Sequence, residues 1–374
     1  MIHNYFRNNS AARRIIFHAI NHTGLGHLSR LTAIASAVRE IAPDTALLFI
    51  VDGSSHGILE TANIPFISLS FLGNVSDWPL WSADRKERLM PSLAGSIIRT
   101  MSPELLVFDS FSNHALLSSA HREGVPLAVC IRKVKNIDEL GKKFRALARS
   151  LRLILVPHEP EEMKIPEEFA AKTKFVGTIV RSPSLEISDE MNPRCQIVIT
   201  GGGGGYPGTV NFYNTALEAF AICRRTLPHL SGVLVAGPLF QEWRRLALVD
   251  GIRVIPFDPH VSTLFKSADI VICQAGYNTI AELVSLQVPV ICIPGHRQFD
   301  DQFERSAQAA SRHGQIRLCL DADAPSLAAM ISDAMQHSPR PAAPVIPNIG
   351  ARLAAEHLLA VIDGFRSGKV ELLT

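Results

Sequence analysis

Four segments of this chain gather residues able to do chemistry, and each follows a short apolar run. In NHTGLGHLSRL (Asn21–Leu31), Gly24 and Gly26 permit a tight backbone turn, and His27 stands at the mouth of an apolar-periodic helix. A neutral imidazole there is the side chain most readily poised as a general base near pH 7; the plain alternative is a capping or packing histidine. VITGGGGGYPGTVNFY (Val198–Tyr213) holds five consecutive glycines, Gly201, Gly202, Gly203, Gly204 and Gly205. Such a run is costly in chain entropy, and it lets backbone amides wrap phosphate oxygens while the following helix dipole adds to the attraction. A flexible connector is its alternative. Lacking a G-K-[ST] ending and the spaced glycines of a dinucleotide fingerprint, the loop is neither a Walker A nor a Rossmann NAD motif.

The other two segments are polar in a different way. In CQAGYNTIAELVSLQVPVICIP (Cys273–Pro294), Gly276 follows a buried run, Asn278 and Thr279 suit an N-cap, and Glu282 comes one turn on. A carboxylate at that place accepts hydrogen bonds from two vicinal hydroxyls, such as a ribose diol. PGHRQFDDQFERSAQ (Pro294–Gln308) concentrates His296, Arg297, Gln298, Asp300, Asp301 and Gln302, a group suited to reading sugar hydroxyls. For any one of them alone, a solvated helix start is the simpler reading.

Short, nearly all-apolar runs alternate with longer amphipathic ones along most of the chain. Strands are predicted at Arg14–Ile20, Ala46–Val51, Phe66–Leu69, Leu105–Phe108, Leu127–Ile131, Leu153–Val156 and Lys174–Val176. A second set falls at Gln196–Thr200, Gly232–Ala236, Arg253–Pro256, Ile270–Cys273, Val290–Ile293 and Gln315–Leu318. Helical periods at Leu28–Ile41, Phe212–Arg225, Thr279–Leu286 and Gln302–Ser311 lie between them. This order means parallel sheets covered by helices on both faces, an α/β fold. The pattern breaks at RSPSLEISDEMNPR, so the expected division is a first domain over 1–180, a linker over 181–194 and a second domain over 195–347. A last helix within 348–374 is expected to pack back on the first domain. Ligands of open parallel sheets bind beyond the C-terminal ends of the strands, where all four segments fall. Residues 71–99 fit no period; they form either a packing excursion or, through Trp78 and Trp81, a loop that touches an acceptor or a membrane.

At 374 residues, 47% hydrophobic and 19% charged, the chain is globular, with room for two domains. Its net charge of +2 is too small for a dedicated nucleic-acid binder. Eight basic residues do cluster from Arg132 to Arg152, but Phe144 is the single interleaved aromatic, which favours a solvated helix face. No apolar run reaches the ~18–20 residues that span a bilayer, and no secretory h-region is present. The six cysteines are widely spaced without a C-x-x-C pair, as expected of buried thiols in a reducing cytosol and not of a zinc site.

The order GLGHLSR, FVGTIVR (Phe175–Arg181), TGGGGG, AGYNTIAE and DDQ resembles the GT-B glycosyltransferases of the family that includes the bacterial lipid II N-acetylglucosaminyltransferase, and the bacterial group of predicted glycosyltransferases. The resemblance spans nearly the whole chain. It implies two Rossmann-like domains facing each other across a cleft, the first binding the acceptor and the second a nucleoside diphosphate-sugar, with UDP the expected nucleotide. It places Gly201–Gly205 and Thr279 on the phosphate side, Glu282 on the ribose, and Asp301 with Gln302 on the sugar, with Gly276 and Asn278 also among the donor-binding residues. Phe257 would lie by the base and Arg181 near the donor; Gly24, Gly26 and Arg30 belong to the acceptor-side loop. Other GT-B enzymes pair the first-loop histidine with an aspartate at a strand end, which would make Asp109 the partner of His27; capping of the next helix is its alternative. The implied reaction moves a hexose-type sugar to an acceptor hydroxyl with inversion, without a metal or other cofactor. The acceptor, whether a small molecule, a lipid-linked molecule or a glycan, stays open, because GTIVR and the first loop depart from the lipid II enzyme's pattern and the region around 52–100 matches nothing. The expected location is the cytoplasm, with peripheral contact at the inner face of the membrane. Two alternatives stand beside this reading: a nucleotide-sugar hydrolase or epimerase on the same scaffold, and a non-catalytic sugar-nucleotide binding protein.

Overall fold

A computed structural model describes residues 12–69, 83–110, 112–133, 137–181, 196–297, 301–337 and 349–368. The chain divides into two units. The first comprises Met1–Asn21, His27–Ile179 and Ile349–Thr374; the second comprises His22–Gly26 with Val180–Asn348.

The first unit is a seven-stranded parallel sheet in the order β3-β2-β1-β4-β5-β6-β7. Its strands are β1 Arg14–Ile20, β2 Ala46–Asp52, β3 Phe66–Ser68, β4 Leu105–Asp109, β5 Leu127–Cys130, β6 Leu151–Val156 and β7 Thr173–Phe175. The helices between them are α1 Gly26–Ile41, α2 Gly57–Thr61, α3 Ala83–Met101, α4 His114–Arg122 and α5 Ile137–Leu147. Alternate strand residues serve opposite faces. Ile16, Leu48, Ile50, Leu106, Phe108 and Val129 join Ala94, Ile98, Leu116 and Ala120 of α3 and α4 in one core cluster, whereas Phe17 stacks on Phe49 at 5.0 Å. Burying each such side chain contributes roughly 1.5–3 kcal/mol.

The second unit is a six-stranded parallel sheet in the order β10-β9-β8-β11-β12-β13. Its strands are β8 Ile197–Thr200, β9 Gly232–Val235, β10 Ile252–Ile255, β11 Ile270–Cys273, β12 Val290–Cys292 and β13 Ile316–Leu318. Helices α6 Thr209–Arg224, α7 Val261–Ser267, α8 Tyr277–Ser285, α9 Gln302–Arg312 and α10 Ala324–His337 cover it. Ile197 and Ile199 face α6 and α10 (Phe212, Phe220, Leu327, Ile331), while Val198 faces α7 and α8 (Phe265, Ile280, Leu283). The final helix, α11 Ile349–Arg366, belongs to the first unit. Arg13 pairs with Asp363 and Arg366 with Glu104, and a Cβ at Gly350 would lie 2.2 Å from the Thr178 carbonyl oxygen.

The predicted strands all form, with ends shifted by a residue or two. Within the unassigned 71–99 stretch, α3 runs from Ala83 with Pro91 inside it; that proline and the charged start ADRKER conceal a period that buries Ala94, Ile97 and Ile98. Trp78, Trp81 and most of the 181–194 linker lie outside the described residues. Phe144, the aromatic among the basic residues, is buried edge-on against Phe169 at 5.4 Å, so it offers no stacking platform. Cys130, Cys223, Cys273, Cys292 and Cys319 are buried free thiols.

Candidate active site

In the first unit, β1 and β4 are neighbours, and the strand order reverses between them. The loop after β1 leads into α1, whose second residue is His27; β4 ends at Asp109. His27 Nδ1 lies 2.7 Å from Asp109 Oδ1. Arg30, one turn along α1 from His27 and so on the same helix face, donates from Nε to Oδ2 (2.6 Å) and from Nη2 to Oδ1 (3.0 Å). The Ser110 hydroxyl adds a donor at 2.9 Å. Asp109 and Arg30 are fully buried, whereas the His27 side chain keeps 24% of its surface exposed. Burial alone would raise the Asp109 pKa; the charges of Arg30 and His27 and their hydrogen bonds outweigh it and hold the carboxyl well below the usual range. An ionised carboxylate only accepts, so Nδ1 of His27 donates to it, and in the neutral ring the lone pair sits on Nε2. Asn113 caps α4 by accepting from the Ala115 amide at 2.9 Å, so the helix-capping alternative for Asp109 is not what this carboxylate does.

Sequence reasoning gave Arg30 a place in the loop but missed its partnership with Asp109, which lies 79 residues on. It also passed over His18 in β1, which is fully buried with Nδ1 2.9 Å from the Ser112 hydroxyl and Nε2 without a partner. Desolvation, aided by the nearby His27 charge, lowers the His18 pKa to about 4.

In the second unit, the glycine run splits into two parts. The Gly201 amide donates to the Tyr213 hydroxyl (2.8 Å) and that of Gly202 to Thr200 Oγ1 (3.1 Å). The amides of Gly203, Gly204 and Gly205 have no acceptor among the described residues. The run is also tightly packed, which the flexible-connector alternative does not anticipate: a Cβ on Gly203 would come within 2.8 Å of Gly24 Cα, and Gly202 has φ of +70°. The N-cap alternative for Asn278 and Thr279 does not hold. Gly276 occupies that position without a side-chain cap, its amide turned onto the Gln274 carbonyl at 2.7 Å. Both residues lie inside α8; Asn278 Nδ2 donates to the Gly26 carbonyl at 2.9 Å, and Thr279 Oγ1 lies beside Gly202 and Gly276.

Glu282 is 6% exposed, on α8. Desolvation raises its pKa, opposed by Arg181, whose Nε stands 3.8 Å away while Nη1 is held by the Pro259 carbonyl at 2.8 Å. Asp301 caps α9, accepting from the Glu304 amide at 3.0 Å, and the buried Gln302 accepts from the Gly295 amide at 2.9 Å. Arg297 Nη2 donates to Gln274 Oε1 at 2.7 Å; His296 is exposed. Phe257 is half-buried in the loop after β10, the edge strand. Gln298 and Asp300 lie outside the described residues. Among the described residues there is no His, Cys, Asp and Glu cluster able to hold a metal ion, and no helix long and apolar enough to cross a membrane.

Two parallel α/β units with polar loops at the C-terminal strand ends define a GT-B fold, the architecture of many sugar-nucleotide glycosyltransferases. Residues 218–357 match the model of the glycosyltransferase family 28 C-terminal domain. A UDP-N-acetylglucosamine–N-acetylmuramyl-(pentapeptide) pyrophosphoryl-undecaprenol N-acetylglucosamine transferase of Bacteroides fragilis is 25% identical over 310 residues, covering 76% of this chain and 77% of that protein. The crystal structure of Acinetobacter baumannii MurG superposes with a TM-score of 0.54 at 17% identity over 94% of this chain and 99% of that one. A putative UDP-N-acetylglucosamine 2-epimerase from Listeria monocytogenes does so with a TM-score of 0.61 at 14% identity, covering 97% and 98%. Fold and sequence together make this chain similar to glycosyltransferases of the GT-B fold, with residues 218–357 carrying the likeness to the family 28 C-terminal domain.

Proposed function

We propose that this protein transfers a hexose-type sugar from a UDP-sugar to an acceptor hydroxyl, with inversion and without a metal ion. One observation carries the reading: a partly exposed imidazole bonded at 2.7 Å to a buried carboxylate whose charge Arg30 secures. That arrangement orients the ring through Nδ1 and leaves Nε2 to take a proton, as a general base for an alcohol requires. In the reaction, the acceptor oxygen bonds to the anomeric carbon, its proton passes to His27 Nε2, and the sugar–phosphate bond breaks with its electron pair leaving on the diphosphate. The amides of Gly203–Gly205 and the start of α8 would stabilise that developing charge in place of a metal. Glu282 would accept from the ribose hydroxyls, Phe257 would adjoin the base, Thr279 the phosphates, and Gln302 with Asp301 the sugar. The B. fragilis relative, by its name a UDP-N-acetylglucosamine-dependent transferase, supports the donor class; its pyrophosphoryl-undecaprenol acceptor makes a lipid-linked acceptor the first class to screen.

The test is turnover of a UDP-sugar panel against candidate acceptors, with and without chelator. His27→Ala is expected to lose ~10²–10⁴-fold in turnover at near-unchanged UDP affinity. Asp109→Asn is expected to lose less, and the double variant to be barely worse than His27→Ala. Normal transfer by His27→Ala removes the base assignment. Donor breakdown without acceptor, at rates typical of transfer, would make the protein a hydrolase.

A further inference from the structure

Arg297 has no task in the reading above, yet three loops of the second unit converge on it. It follows β12 and lies next to His296, which bridges to Asp301. Its guanidinium lies over the Tyr206 ring, 3.6 Å from the centroid, and Tyr206 directly follows the glycine run after β8. Nη2 is held by the side chain of Gln274, itself buried, at the end of β11, and Nε is buried without a hydrogen-bond partner. Among the described residues no carboxylate pairs with this cation. A fork held by an aromatic ring and by a side-chain amide is pre-organised to bind two oxygens at once.

We propose that Arg297, held over Tyr206 and aimed by Gln274, recognises an anionic group of the sugar nucleotide. The inference rests on the donor-site reading above. The oxyanion has two sources, the diphosphate or a carboxylate on the sugar. The glycine amides supply dipoles but no full charge, and Arg297 adds the cation on the same side of the sheet.

Calorimetric binding of UDP, UDP-N-acetylglucosamine and UDP-glucuronic acid to wild type, Arg297→Gln and Arg297→Lys decides it. If the diphosphate is the partner, Arg297→Gln binds all three 10–100-fold more weakly. If the sugar acid is the partner, the loss is confined to UDP-glucuronic acid. Arg297→Lys, which keeps charge but not the planar fork, recovers part of either loss. Tyr206→Leu, at an exposed position, repeats the same ligand pattern more weakly and serves if Arg297→Gln does not fold. A folded Arg297→Gln protein that binds all three ligands like wild type overturns the proposal while leaving the donor site standing. A wild type that binds none of them overturns both.

Discussion

Glu282 and Asp109 are both buried carboxylates, and they differ in what surrounds them. Asp109 has a bidentate arginine, an imidazole and a hydroxyl; Glu282 has one guanidinium at 3.8 Å. The first is held ionised, and the second is pushed up by desolvation. A carboxyl whose folded pKa exceeds its unfolded one opposes folding at pH values above the folded pKa, and the opposition disappears as pH falls below the unfolded pKa. Glu282→Gln is therefore expected to leave thermal stability at neutral pH unchanged or higher, while weakening UDP binding by about 1.5–3 kcal/mol through loss of a charged acceptor. Thermal melts and calorimetry on one preparation check both, and a variant with lost stability and full affinity contradicts the assignment. Removing the cation under Asp109 has the opposite character. Arg30→Met strands a buried charge and is expected to cost about 3–5 kcal/mol in chemical denaturation. Arg30→Met combined with Asp109→Leu should recover much of that, because no charge is then left unpaired.

Among the elements, the glycine loop and the last helix are tightly specified by contact. Valine at Gly203 would strike the backbone of Gly24 and Leu25, so its effect on UDP binding would not separate phosphate access from loop displacement. Gly276 is the better probe: its φ of −66° suits any residue, and a Cβ there meets Thr279 Oγ1 at 3.5 Å, an ordinary contact. Gly276→Val is expected to fold normally and to weaken UDP at least tenfold by filling the space before α8; unchanged affinity would move the phosphates elsewhere. Gly350 is different, since a Cβ 2.2 Å from the Thr178 oxygen cannot be accommodated without shifting α11. Gly350→Ala should destabilise the first unit by ~1–3 kcal/mol, the usual cost of overpacking, with UDP affinity preserved. Denaturation followed beside ligand titration distinguishes these outcomes.

At the scale of the whole molecule, the two units have separate cores, and the first holds two histidines that oppose acid. In the first unit, burial lowers His18 and His158 to about 4. Their unfolded forms take up protons from about pH 6.5 downward while the folded forms do not, so stability falls as pH drops through that window. Each contributes a loss of up to about 3 kcal/mol by pH 4. Scanning calorimetry from pH 7 to 4 should show the first unit's transition moving down, and His18→Asn should flatten that slope. Saturating UDP should raise the second unit's transition through mass action, by about 2.7 kcal/mol at one hundred times Kd. A nucleotide that instead stabilised the first unit would reverse the assignment of the donor site.

The alternation of apolar strands and amphipathic helices was legible because covering a parallel sheet on both faces demands that local pattern along β1 to β13. The polar loops were legible too, since each directly follows its strand. Legibility failed wherever identity depended on a partner distant in the chain. Nothing local distinguishes Arg30 from a solvated helix arginine until Asp109 arrives beneath it, 79 residues later. Asn278 and Thr279 also suited an N-cap because capping is a local rule, yet the helix begins at Tyr277 and Asn278 turns to Gly26, 252 residues away. The five glycines read as a phosphate cradle, but packing against Gly24, Phe240 and Tyr213 requires several of them before any ligand binds. Periodicity is a property of neighbours along the chain, whereas charge pairing and close packing are properties of neighbours in space, and only folding brings those together.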